Sequence, residues 1–401
     1  MPETEKRVFI AGAGPVGLVA AASLARQGIP VTVFEASAEL STESRASTFH
    51  PPTLDMLGDI GVVDALIAQG LVAPTVQYRT RGGGPIAQFD FGDIADLTAH
   101  PYRLQSEQFK LTRIIADKFS SDDNLRIEFN RRVEGVTQDD SGVEVEIHEP
   151  DGSIERRRGL WLIGADGARS AVRKALDIPF SGFTWPERFL VVSTSFDFFE
   201  AFPDLSSVSY VADPRQWHFL LQVPGMWRVM FPIAVEVSDD EASSREFAVS
   251  TLGSLIPAAA EANILHTTLY RVHQRVADSF RKGRAFLAGD AAHINNPLGG
   301  MGMNGGVHDV VNLCGRLARV WRKEAPEAEL DRYDLQRRLV TVEHVQRQTI
   351  ENKRNLEASD PKDQEEFRVR MARTASEPAM AREYLQKISM MASLKRASEL
   401  G

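Results

Sequence analysis

The sequence predicts an α/β fold: a discontinuous Rossmann-like unit, a β-rich insert, and a run of C-terminal helices. Three observations predict it. A GAGPVG run (12–17) stands between a short apolar strand and an Ala/Leu-rich helix. Strand-then-helix texture returns at 285–321, around the stretch GDAAHINNPLGGMGMNGG (289–306). Between the two, from about Phe180 to Arg275, aromatic and β-branched residues with interspersed prolines have the composition of a sheet. At 401 residues the chain exceeds the size at which one core keeps growing, so two structural units are expected.

The totals narrow the function. The chain is 43% hydrophobic and 25% charged, ordinary for a globular protein. A net charge of −9 gives no basis for nucleic acid or an anionic membrane surface as partner. The single cysteine, Cys314, excludes an internal disulfide and any all-cysteine iron–sulfur or zinc site. The nine histidines show no HExxH-type spacing, so no metal is expected. The N-terminal KRVFIAGAGPVGLVAAASLA has the basic start and apolar stretch of a secretory signal. Its glycines, however, have a spacing better explained as a phosphate-binding turn. No stretch approaches the roughly 18 apolar residues of a membrane span. A cytoplasmic protein is expected.

In chain order, Arg7–Ala11 reads as a strand, Val16–Arg26 as a helix and Ile29–Phe34 as a second buried strand, a strand–helix–strand unit. Thr53–Leu66 reads as a helix, and Arg113–Phe119 as part of another. The RGGGP segment (81–85) is a turn. Leu125–Phe129 and Val143–Ile147 alternate like strands, PDGS (150–153) marks a hairpin, and Leu160–Ile163 is a short strand entering GADGARS. Ala285–Ala288 is a buried strand. Beyond Val307 the pattern is helical, with a break at SDPKD (359–363). The segment 378–395 is amphipathic, with Met380, Tyr384, Leu385, Ile388, Met391 and Leu394 available to pack against the body or a second subunit.

Three motifs carry the chemistry. In GAGPVG, Gly12 permits a tight turn, Gly14 lets backbone approach a pyrophosphate, and Gly17 allows close helix–strand packing. Pro15 and Val16 open the helix, whose free amides and dipole favour phosphate. Glu35, with Ala36 after it, ends the second strand eighteen residues past Gly17, where a carboxylate can hold a ribose diol. This signature alone does not separate FAD from NAD. In GADGARSAVR (164–173), Asp166–Gly167 makes a turn and Ser170 caps a helix, and a plain capped helix explains it as well. In the third, which holds six glycines, Asp290 sits at a strand end, and the Gly299–Gly302 loop delivers its backbone to a helix start. Val307, Val310, Val311, Cys314, Leu317 and Trp321 line that helix's inner face. Its N-terminus favours a group that becomes negative.

Together these motifs resemble the FAD-dependent aromatic hydroxylases, single-component flavoprotein monooxygenases of the 4-hydroxybenzoate hydroxylase type. RASTFHPPTLDMLGDIG (45–61), YRLQSEQFKLTR (102–113) and LDRYDLQRRLV (330–340) agree in order, so the resemblance spans residues 7 to about 340. Val340 stands where the family often has proline. The resemblance implies FAD as cofactor and NADH or NADPH as a transient reductant, with no second dinucleotide domain. It implies that O2 adds to the reduced flavin, giving a C4a-hydroperoxide that hydroxylates a small phenolic or heteroaromatic substrate. A reductase or dehydrogenase of the same fold, acting without oxygen insertion, is the alternative. By resemblance Asp166 lies near the pyrophosphate, Asp290 holds the ribitol, and Arg45 and Gln105 (or Gln108) contact FAD. The loop Pro297–Asn304, with Gly300, Met301, Gly302, Met303 and Asn304, lies along the flavin ring. The implied domains are 1–75, 101–179 and 276–345 for FAD; 76–100 and 180–275 for the β-rich substrate unit; and 346–401 for the C-terminal helices.

The substrate side is less defined. In RQWHFLLQV (215–223) alternation places Trp217, Phe219 and Leu221 on one face and His218, Leu220 and Gln222 on the other. His218 is a candidate for polarising a substrate hydroxyl, and a hydrogen-bonded structural histidine is the plainer alternative. Arg215, Arg228 and Tyr210 are candidates for substrate binding, against solvated strand positions. His293, and Pro297 at the start of the flavin loop, are further catalytic candidates, His293 being more simply a helix-end hydrogen bonder. Phe196, Phe198, Phe199 and Phe202 suggest a pocket wall or, more simply, core. A homodimer is compatible with the sequence.

Overall fold

The Val8–Ala11 strand lies inside a six-stranded sheet in the computed structural model, which describes residues 3–43, 46–82, 84–213, 216–357 and 360–400. The strand order is Arg281–Lys282, Ala285–Leu287, Trp161–Gly164, Val8–Ala11, Val31–Phe34, Leu125–Glu128. All pairings are parallel except the Arg281–Lys282 edge. Every residue of the Val8, Val31 and Trp161 strands is buried, as expected for a parallel sheet covered on both faces. The Pro15–Ala25 and Met301–Trp321 helices share one apolar core with it, as does a three-stranded meander over Arg132–Asp139, Gly142–His148 and Ile154–Gly159.

The insert builds an eight-stranded sheet. Its order is His293–Ile294, Ile264–Ala277, Phe180–Thr194, Met226–Ile233, His218–Val223, Val208–Ala212, Thr75–Thr80, Gly84–Asp90. Period-two alternation separates two faces. Phe189, Met230, Leu221, Tyr210 and Val76 face the C-terminal helices and Leu298 of the glycine-rich loop. Leu190, Val229, Leu220 and Val211 form a separate core under the Arg245–Leu255 helix. Phe198 is fully buried in that second core, with Phe196, Phe199 and Phe202 packed against it, so these phenylalanines are core.

Several elements differ from the sequence expectation. Thr53–Leu66 is two helices, Pro51–Asp59 and Val63–Ile67, broken where Gly61 takes φ 72°. Within the insert, Ser244 caps Arg245–Leu255 by accepting from Phe247 N at 3.1 Å, a helix inside a block expected to be sheet. The helix Asp331–Val340 does not stop at Val340: it continues through a π-turn, Thr341–Gln346, into Arg347–Glu357. The 378–395 stretch is two helices, Pro378–Ile388 and Met391–Glu399, with Met390 left-handed at the corner. Leu385 and Ile388 of the first pack under the eight-stranded sheet. Among the described residues, no helix is long and apolar enough to cross a membrane.

Candidate active site

All three motifs emerge at one edge of the six-stranded sheet. Ala11 pairs with Gly164, and Gly164 with Leu287, so the three strands end level. Backbone bonds continue past those ends: Gly12 N donates to Phe34 O at 2.8 Å, Ala165 N to Ala11 O at 2.8 Å, and Ala288 N to Gly164 O at 2.9 Å. The carboxyl ends of neighbouring parallel strands form the crevice in which such sheets bind ligands.

Glycine geometry shapes this crevice. Gly12 has φ 100°, and a Cβ there would lie 2.5 Å from Ala165 O. A Cβ on Gly17 would lie 2.0 Å from Gly12 O, so only glycine closes the turn on the helix. Gly14 is different: its φ is −68°, and a Cβ would meet nothing within 4 Å. The open space lies over a helix start that Pro15 begins and no side chain caps. Val16 contributes by packing; Cβ atoms on Gly289 and Gly306 would come within 2.9 and 2.5 Å of its methyl. The Glu35 carboxylate accepts from Ala13 N at 2.8 Å and Ser37 N at 2.9 Å, which fixes it beside the turn, next to exposed Ala36.

The second and third motifs are tied together. Ser170 Oγ accepts from Arg173 N at 2.9 Å, capping the short Ala171–Ala175 helix. Arg173 then donates to Ala291 O at 2.8 Å and Ala168 O at 2.9 Å, with its guanidinium over the Phe180 ring. Asp166 accepts from Val172 N at 3.1 Å through one oxygen; the other, buried, has no hydrogen-bond partner among the described residues, and burial raises the carboxyl's pKa. Asp290 is exposed in the turn Gly289–Ala291.

Gly299 (φ 99°) and Gly300 (φ 66°) turn the chain into the Met301–Trp321 helix, after Gly300 N donates to Pro297 O at 3.0 Å. Pro297 has no side-chain acid or base and serves as a turn residue. Met301 packs with Val345 and Met390, and Met303 with the main core, so these two present backbone rather than side chains. The Asn304 side chain is spent on protein: it accepts from His50 N at 2.9 Å and donates to Thr48 O at 2.8 Å and Gly300 O at 2.6 Å. A Cβ on Gly302 would meet only Asn295 Oδ1, at 3.6 Å, and that oxygen has no partner. Gln105, fully buried, accepts from Thr48 Oγ1 at 2.8 Å while its Nε2 has no partner among the described residues; Gln108 instead starts the next helix. Arg45 and Arg215 lie outside the described residues. Open space over Gly14, with polar atoms on Gln105, Asp166 and Asn295 that lack partners among the described residues, fits a dinucleotide whose hydroxyls and ring edge supply them.

Two histidines are placed otherwise than the candidate roles require. His218 lies on the sheet face away from Leu298, beside Phe231, where burial lowers its pKa to about 4. The alternation is as read; the loop-facing side is that of Trp217 and Leu221, which carries Tyr210 and Arg228 as well. Arg228 is buried and donates to Ser47 Oγ at 2.8 Å, bracing the 46–50 segment. His293 is fully buried, bonded to Asp309 at 2.7 Å and stacked on Phe280, so it does not reach an open site. Sequence reasoning missed Asp309, His50 and His308. His50 bonds the Gly299 carbonyl at 2.8 Å and His308 bonds Thr53 Oγ1 at 3.0 Å. Asp309 was findable as a charge beside Val307 and Val310 on an apolar helix face.

The whole-chain comparisons agree with this crevice. The model of the family described as FAD binding domain matches residues 5–348. The chain belongs to the FAD-dependent aromatic hydroxylases. It is 36% identical over 364 residues to para-nitrophenol 4-monooxygenase of Pseudomonas sp. strain WBC-3, covering 90% of this chain and 89% of that one. It is 33% identical over 361 residues to 6-hydroxy-3-succinoylpyridine 3-monooxygenase of Pseudomonas putida, covering 89% and 90%. The crystal structure of p-nitrophenol 4-monooxygenase from Pseudomonas putida DLL-E4 superposes with a TM-score of 0.90 at 33% identity, over 96% of this chain and 99% of that one. As a member of this family the enzyme uses FAD, with NAD(P)H as reductant, and is a monooxygenase of aromatic rings. The relatives, named as monooxygenases, speak against the reductase alternative.

Proposed function

We propose that this hydroxylase acts on a single-ring phenol or hydroxypyridine, consuming NADH or NADPH and O2. The observation that carries this is a cavity of about 190 Å³ on the Leu298 side of the eight-stranded sheet. Tyr78, Tyr210, Leu356, Phe367 and Tyr384 give it an aromatic and apolar lining. A dry cavity of about 150 Å³ suffices for benzene, so the volume suits one ring and is small for a fused polycycle. Arg370, Lys387 and Glu351 line it too, Lys387 donating to Glu351 at 3.1 Å, so its mouth is polar. The names of the two relatives, a nitrophenol and a hydroxypyridine monooxygenase, point the same way.

Bound FAD supplies the redox chemistry, taking reducing equivalents from NAD(P)H and delivering one oxygen atom to the ring. The chain would hold it through the Gly12–Gly17 turn, Glu35, Gln105, Asp166 and Asp290, with backbone from Gly299 to Asn304 along the ring. Tyr210 and its neighbours would orient the substrate and exclude water. Pro297 shapes the turn and moves no proton. A cytoplasmic location accords with this chemistry. A homodimer gains no support from the Pro378–Ile388 helix, whose apolar face is used within the chain.

The test is NAD(P)H oxidation by FAD-loaded enzyme against a panel of phenols, hydroxypyridines and polycyclic phenols, with product masses. A monocyclic compound that speeds oxidation and gains one oxygen atom is the expected result. Preference for a polycyclic phenol would overturn the size assignment.

A further inference from the structure

Gln348 stands where two cavities meet. The inner one is the ring-sized cavity of about 190 Å³. The outer one, about 820 Å³, lies between the Thr341–Gln346 π-turn and the two C-terminal helices. Gln348, Thr374, Tyr384 and Lys387 line both.

Gln348 is buried, with 5% of its surface exposed, and its Oε1 has no hydrogen-bond partner among the described residues. The neighbouring amides decide which end of it is unmet. Asn352 Nδ2 points at Leu298 O, 3.5 Å away, and a carbonyl can only accept. Asn352 Oδ1 is therefore turned to Gln348 and accepts from its Nε2 at 2.7 Å. Gln348 Oε1 is left pointing away from Asn352, an acceptor with no donor. A buried acceptor left unmet is costly, so a partner is expected from a ligand. The backbone supports the same reading. Gln348 is the second residue after the π-turn, and π-turns inside helices recur at functional sites because the extra residue re-aims the turn that follows.

We propose that Gln348 Oε1 accepts the hydrogen bond of the substrate's ring hydroxyl. It thereby selects rings with a free O–H over their ethers. Through Asn352 the same contact is linked to Leu298, beside the glycines expected to border the flavin. The assignment rests on the phenol-hydroxylase reading of the cavity and adds the residue that recognises the hydroxyl.

The experiment uses FAD-loaded wild type and Gln348→Met, a side chain of similar length without the acceptor. Probes are phenol, 4-nitrophenol and 3-hydroxypyridine, each against its methyl ether, with binding followed by perturbation of the flavin absorbance. Wild type is expected to prefer the free hydroxyl about tenfold or more. In Gln348→Met the preference should shrink to within about threefold, through weaker hydroxyl binding and unchanged ether binding. KM should rise more than kcat falls, and FAD affinity should stay as in wild type. If Gln348→Met folds poorly, Gln348→Ala gives the same hydroxyl-to-ether ratio, which a general loss of affinity does not alter. An unchanged ratio in a variant that still binds and hydroxylates phenols would overturn the Gln348 assignment alone. If no probe binds or is oxygenated by wild type, the reading of the cavity falls, and the role of Gln348 falls with it.

Discussion

His293 Nε2 and Asp309 Oδ2 lie 2.7 Å apart with both side chains wholly buried. Asp309 also accepts from Arg337 Nε at 2.8 Å and Gly289 N at 3.1 Å. Burial alone would raise its carboxyl pKa, but His293 and Arg337 pull it down to about 2. One carboxylate thus joins the Met301–Trp321 helix, the Asp331–Val340 helix and the turn that presents Asp290.

Replacing Asp309 by asparagine removes the charge and leaves Arg337 buried without its counter-ion. Breaking one side of a buried pair costs about 3–5 kcal/mol. Asp309→Asn should therefore lose about that much stability in urea unfolding of the apoprotein. Its FAD dissociation constant should rise as well, because the Gly289 amide precedes Asp290. Unchanged FAD affinity in a destabilised protein would confine Asp309 to a structural role.

Acid should destabilise the protein well above the carboxylate range. His308 and His218 are buried, and burial above all lowers their pKa values to about 3 and about 4. Unfolded histidine titrates near 6.5, so between that pH and about 4 the unfolded state binds the protons. Each group then costs up to about 1.4 kcal/mol of stability per pH unit as the pH falls. Asp309 adds a second phase: its contribution is complete above the unfolded carboxyl value and is lost as pH falls toward 2. Thermal melts from pH 8 to 4 should show Tm falling below about 6.5, and His308→Gln should flatten that slope. A Tm flat from 7 to 4.5 would contradict the neutral-buried assignment.

His218 lies on the sheet face opposite Tyr210 and Arg228. Steady-state kinetics of His218→Asn should leave kcat/KM and its pH profile within about twofold of wild type, with a stability loss of about 1 kcal/mol. A tenfold fall in kcat with an altered pH profile would place His218 at the chemistry after all.

Much of the candidate FAD crevice was legible because its backbone constraints are largely local. Gly17 answers to the Gly12 carbonyl five residues earlier, Gly12 to its own φ of 100° as well as to distant Ala165, and Glu35 to the next strand end. The adjacency of the three motifs followed from strands that read as continuous apolar runs. The substrate side was less legible, since a strand pattern gives two faces but not which one meets the loop. His218 was read on its correct face, but alternation did not say that this face turns away from the loop. Gln348 carries no local signal at all. Its orientation depends on Asn352 and Leu298, and its exposure to the cavity on a π-turn that no periodicity announces. Asp309 is intermediate: a charge on an apolar stripe is visible, but His293 and Arg337 as partners are tertiary facts.

The last prediction separates two glycines that look alike in the motif. Gly14 has φ −68° and ψ 176°, a conformation alanine adopts freely, and a methyl there would meet no atom of the described residues within 4 Å. Gly14→Ala should therefore leave the apoprotein as stable or stabilise it by about 0.4–1 kcal/mol, through the unfolded chain. If the pyrophosphate occupies that space, the same methyl should weaken FAD binding by about tenfold or more, because backbone approach to the phosphate is lost. Gly17→Ala should do the reverse in kind. Its methyl would sit 2.0 Å from Gly12 O, so the turn itself must shift, and the apoprotein should lose about 1–3 kcal/mol or more. Urea unfolding of the two apoproteins, with FAD titration followed by flavin fluorescence, distinguishes them. Gly14→Ala binding FAD as wild type does would show that the pyrophosphate lies elsewhere than over this helix start.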